Sequence, residues 1–122
     1  MSYINKPGKN TAWRNHVLNN LVADTILFEK VETSLPMARS LTKLLAKLVK
    51  YAKQDTLHSR RLALKNLVNK KGLEDKEGKK LMDKLFSDLK ERYKNRAGGY
   101  SRITKLNYRT GDNSLRVIFS LV

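Results

Sequence analysis

The sequence predicts an α+β fold: a two-layer α/β domain in the order α-β-α-α-α-β-β, with a small sheet packed against helices. Two observations lead there. Apolar residues recur at three- and four-residue steps over most of residues 11–94, then alternate singly near the C-terminus. Turn formers, Ala97-Gly98-Gly99 and residues 110–114, separate these regimes. A chain of 122 residues suits one core. One domain is therefore expected over residues 11–122, after an irregular arm at 1–10 that Pro7-Gly8 punctuates. The arm's composition predicts disorder before it meets a partner.

From Thr11, capped by Asn10 or Thr11 itself, Trp13, Val17, Leu18, Leu21, Val22, Thr25 and Phe28 predict a first helix. Residues 29–34 alternate Lys30 and Glu32 with Val31 and Thr33, as a short strand does. Pro36 fits the first turn of the second helix. There Leu41, Leu44, Leu45, Leu48, Val49 and Ala52 take one side, and Arg39, Lys43, Lys47, Lys50 and Lys53 the other. A third helix is expected from Asp55 or Thr56 to Lys71, ending on Lys70-Lys71 and Gly72. A fourth is expected over 74–94, with the early acids Glu74, Asp75 and Glu77 at its N-terminus. Its stripe of Leu81, Met82, Leu85, Phe86, Leu89 and Tyr93 reads as core. Residues 101–109 and 115–122 form a hairpin. Leu115, Val117, Phe119 and Leu121 face one way, Arg116 and Ser120 the other. The early strand must join this hairpin, since two strands alone are marginal.

The net charge of +15 is unevenly placed. Residues 36–71 hold ten cations and one acid, and residues 90–122 eight and two, whereas residues 1–35 and 72–89 are close to neutral. Such blocks repel themselves unless a polyanion supplies counter-charge, and nucleic acid does so with release of its condensed counterions. Within the second helix no acid interrupts Arg39, Lys43, Lys47 and Lys50, so no i, i+4 pairing neutralises them. Arg60 and Arg61, with Lys65 nearby, extend that surface. Arg96, Arg102, Lys105 and Arg109 form a second one. Tyr100 suits either base stacking or a core position under the hairpin.

Catalysis is not expected. There is no cysteine, and neither His16 nor His58 has a second histidine at metal-binding spacing. No carboxylate pair is placed for acid–base work. Gly98-Gly99 lacks the Gly-Lys-Ser/Thr ending of a phosphate loop. No cofactor, metal or small-molecule substrate is expected. No run approaches a membrane span, and residues 1–10 carry no apolar signal segment. A rival reading makes residues 36–71 a helix-turn-helix of a DNA-binding protein. Its second helix offers mainly Lys and Arg, which hold phosphate without reading bases, so backbone binding to folded RNA fits better.

Several strings resemble one family. They are Glu32-Thr33-Ser34-Leu35-Pro36, Arg60-Arg61-Leu62-Ala63, Arg96-Ala97-Gly98-Gly99-Tyr100-Ser101-Arg102-Ile103 and Arg109-Thr110-Gly111-Asp112-Asn113, closing on Leu121-Val122. Together they are similar to the bacterial large-subunit ribosomal protein L-seventeen family, over nearly the whole chain from residue 8. The Gly-Gly-Tyr-Ser-Arg-Ile and Gly-Asp-Asn strings are the specific part.

The resemblance implies a two-layer α/β fold and a structural constituent of the large ribosomal subunit, cytoplasmic in the ribosome. It implies binding to large-subunit ribosomal RNA near the polypeptide exit, beside neighbouring ribosomal proteins. It also implies that a basic N-terminal segment with Lys6, Lys9 and Arg14 enters the RNA. Lys9 stands where the family usually has Arg, Trp13 replaces a His before Arg14, and Asn19 stands where an Arg is common. The arm is thus less basic than the family's. Residues 71–80 look longer than usual and are expected to be a solvated extension.

Overall fold

The computed structural model describes residues 8–70 and 72–122. Among them are four helices and three strands in the expected order. Helix α1 spans Thr11–Phe28, β1 Lys30–Ser34, α2 Leu35–Gln54 and α3 Leu57–Leu67, with a 3₁₀ turn at Val68–Lys70. Helix α4 covers 81–92, and β2 (Ser101–Tyr108) and β3 (Leu115–Leu121) close the chain. The strands form one antiparallel sheet in the order β1-β3-β2, so the early strand does join the hairpin.

Local chemistry explains most boundaries. The Asn10 side chain accepts the Trp13 N–H at 2.8 Å and starts α1. Thr56 and Ser59 bond each other's backbone N–H groups reciprocally, which starts α3. In α2, Ala38, Leu41, Leu45, Leu48, Val49 and Ala52 are fully buried, making this helix the centre of the core. The sheet contributes Val117 and Phe119 from β3, which face Thr33 and Val31 of β1 and Lys105 and Ile103 of β2. Helices α1 and α2 lie against the sheet, while α3 and α4 pack on those two helices.

Four expectations need correction. In α1 the buried residues are Val22, Ala23, Thr25, Ile26 and Leu27, whereas Trp13 and Phe28 are exposed. Six of the eight residues from 21 to 28 are apolar, so their periodicity marks no single face. The fourth helix begins at Leu81 and not at residue 74. Gly78 has φ +83°, and the Asp75 carboxylate accepts the N–H groups of Glu77 and Lys79 at 2.9 and 2.8 Å. These bonds favour a local turn over a helix. The turn is also no mere solvated extension, because the Asp75 side chain is buried against Lys84. Finally, Lys70 does not serve the end of α3 but pairs with Asp24 of α1 at 2.9 Å. Lys71 lies outside the described residues.

Candidate RNA interface

Arg39, Lys43, Lys47 and Lys50 are exposed along α2, opposite its buried leucines. No carboxylate among the described residues lies within ion-pair distance of any of them. The eight ion pairs present there engage other cations. Lys47 lies 6.0 Å from the Tyr51 ring, which leaves its ammonium open to solvent. Lys53 leaves the row: its ammonium donates to the Tyr100 hydroxyl at 2.8 Å and to the Arg96 carbonyl.

The other expected residues divide by what already holds them. Arg60 pairs with Asp55 at 2.8 Å and stacks 5.1 Å from the Phe86 ring centre, whereas neighbouring Arg61 is exposed and unpaired among the described residues. Asp55 also takes Lys90 at 2.7 Å. The hydrogen bonds from Lys90 and then Arg60 hold its carboxyl below the usual aspartate value. Arg109 bonds the Asp112 carboxylate through Nε at 3.0 Å. That contact, followed by the Ser114 N–H, lowers Asp112 to about 2. The Arg96 guanidinium donates to the carbonyls of Gly98 and Gly99 at 3.1 Å each, steadying the turn where Gly99 has φ +66°. Arg14 is tied to the Lys9 carbonyl and the Thr11 hydroxyl, and Lys9 sits 6.0 Å from the Trp13 ring. Lys6 lies outside the described residues.

Arg102 and Lys105 are both exposed on β2, but their odd spacing sends them to opposite faces of the strand. The second basic surface is therefore split. Tyr100 is a core residue: it is 8% exposed and its ring centre lies 5.0 Å from that of Tyr93. Its stacking on a base is excluded by that packing.

Sequence reasoning missed one arrangement. Lys43 and Lys47 of α2 share a groove of about 500 Å³ with Lys65 and Asn66 of α3 and with Asn15 and Asn19 of α1. Only the i, i+4 spacing of the two α1 asparagines hinted at a common face. No three His, Asp or Glu gather to hold a metal, and no helix is long and apolar enough to cross a membrane, among the described residues.

The densest group of cations left open among the described residues thus lies along α2 and at its groove, a layout suited to a polyanion. The model of the family described as ribosomal protein L17 matches residues 17–122. The chain belongs to the ribosomal protein L17 family. It is similar to the large ribosomal subunit protein bL17 of Mesoplasma florum, at 44% identity across the whole of both chains. The bL17 proteins of Ureaplasma parvum serovar 3 and Mycoplasma pneumoniae are 41% and 42% identical. The first match covers both chains completely, the second 99% of this chain and 95% of its relative. This chain is thus a ribosomal protein, of a structural kind, and works in the cytoplasmic ribosome. Family membership sets aside the reading of residues 36–71 as a separate DNA-binding protein.

Proposed function

We propose that this L17 chain is a structural constituent of the bacterial large ribosomal subunit that binds large-subunit ribosomal RNA through α2. One observation carries the reading: Arg39, Lys43, Lys47 and Lys50 form an exposed cationic row with no internal counter-charge among the described residues. Such a row gains free energy when RNA phosphates meet it and release their counterions. Arg61, Arg102 and Lys105 add open positive charge elsewhere. Lys9, Arg14, Arg60, Arg96 and Arg109 contribute from positions that also brace the protein, and Lys6 belongs to the arm at 1–10.

In this reading residues 11–122 act as one RNA-binding unit near the polypeptide exit, beside neighbouring ribosomal proteins. The family resemblance supports that location. The hairpin, with exposed Leu106 and Tyr108, offers a neighbouring protein an apolar contact. Replacing Lys43, Lys47 and Lys50 together by Gln tests the proposal. The variant should melt as the parent does, bind large-subunit RNA more weakly, and leave the large subunit during a high-salt wash that the parent withstands. Unchanged retention would show that the row is only solvated.

A further inference from the structure

The groove between α1, α2 and α3 carries more than positive charge. Three carboxamides converge on it, Asn15 and Asn19 from α1 and Asn66 from α3, and none is engaged by another described residue. Asn19 and Asn66 are half-buried, so part of their hydration is already lost. Leu18 and Leu44, also half-buried, give the groove an apolar lining. Lys43, Lys47 and Lys65 supply exposed ammonium groups.

We propose that this groove holds one nucleotide turned out of an RNA helix, a refinement that rests on the RNA-binding function proposed above. Its base would lie against Leu18 and Leu44, with its edge facing the asparagine amides and its flanking phosphates on the three lysines. The chemistry favours this occupant. A bare phosphate needs only the lysines, whereas amides that both donate and accept match the hydrogen-bonding edge of a base. Bases are open to such contact in RNA where they leave the stack, at bulges and loops. The volume of about 500 Å³ falls within the roughly 300–1,000 Å³ usual for small-molecule sites.

The test uses the full chain and two RNA probes: a blunt duplex of about sixteen base pairs, and the same duplex with one bulged adenosine. Fluorescence anisotropy at fixed salt should show the bulged probe binding roughly tenfold tighter, the size of one good base contact. The double variant Asn19→Ala, Asn66→Ala should lose that preference while keeping its affinity for the blunt duplex and its melting temperature. Lys65→Gln should weaken binding to both probes. Equal binding of the two probes by the parent would overturn the nucleotide site, as would a preference that survives in the double variant. Absence of salt-sensitive binding to either probe would instead overturn the RNA-binding function.

Discussion

The Lys84 ammonium donates to the Leu27 carbonyl at 2.8 Å, joining residues 57 apart in sequence. Leu27 lies in the last turn of α1, where carbonyls lack partners within their own helix. The lysine side chain is only 8% exposed and has the buried Asp75 carboxylate 3.6 Å away on its other side. One amine therefore fastens α4, the end of α1 and the turn before α4 together. Lys84→Met removes it while preserving bulk. This variant should lose about 1–3 kcal/mol of stability in urea unfolding, the cost of orphaning buried polar groups. The same change at exposed Lys80 should alter little, and equal effects at both sites would refute the fastening role.

If about six phosphates are neutralised, the log of RNA affinity should fall with the log of salt concentration at a slope of roughly −4 to −5. Each Lys→Gln change at Lys43, Lys47 or Lys50 should make the slope shallower by a little under about one unit. Arg109→Gln should change it less, because Asp112 already occupies that guanidinium. A flat salt profile would remove the electrostatic basis of binding.

Asp112 gives the hairpin loop a pH dependence. Its folded value of about 2 lies below the ordinary 3.8, so its contribution favours the folded state when it is ionised. That contribution is complete above about pH 4 and fades as pH falls towards about 2. A carbon-detected NMR titration should place its midpoint near the lower limit. Arg109→Gln should move the midpoint up towards 3.8. A normal midpoint in the parent protein would show that the Arg109 bond does not persist in solution.

Tyr100→Phe separates packing from RNA contact. The hydroxyl accepts from Lys53 and donates to the Arg96 carbonyl at 3.1 Å, while the ring stays against Tyr93. Stability should fall by about 1–3 kcal/mol, the contribution of the two hydrogen bonds that the hydroxyl makes. RNA affinity should stay within about twofold, well under the tenfold of 1.4 kcal/mol. A larger loss of affinity without destabilisation would make Tyr100 an RNA contact after all.

Helix α2 was legible in the sequence because its two faces differ sharply: leucines at helical spacing on one, uninterrupted cations on the other. The hairpin was equally clear from single-residue alternation around Gly111-Asp112-Asn113. In α1, apolar residues follow one another, so period alone could not pick Ile26 and Leu27 over Phe28. The turn before α4 hid because its acids also suit a helix N-terminus, and only the bonds of Asp75 decide between the two. Charge counting found the cations but not their fates. Whether Arg60 meets Asp55, or Lys53 meets Tyr100, depends on contacts between separate elements. The asparagine-lined groove needs three helices side by side, and no linear pattern encodes that.

Helix α4 contains a widened turn, with Leu85–Leu89 wound as π-helix. This turn keeps Leu81, Leu85, Leu89 and Tyr93 in one fully inward file at four-residue spacing, and the Tyr93 hydroxyl reaches the Val122 carbonyl at 3.0 Å. A widened turn stores one residue more than an ordinary helix of the same rise, without rotating the residues beyond it. Chain length is therefore negotiable at this point. Losing one residue between 85 and 89 would tighten the coil and leave Tyr93 against the C-terminus. The same loss within α2 would swing half of its lysines away from their common side.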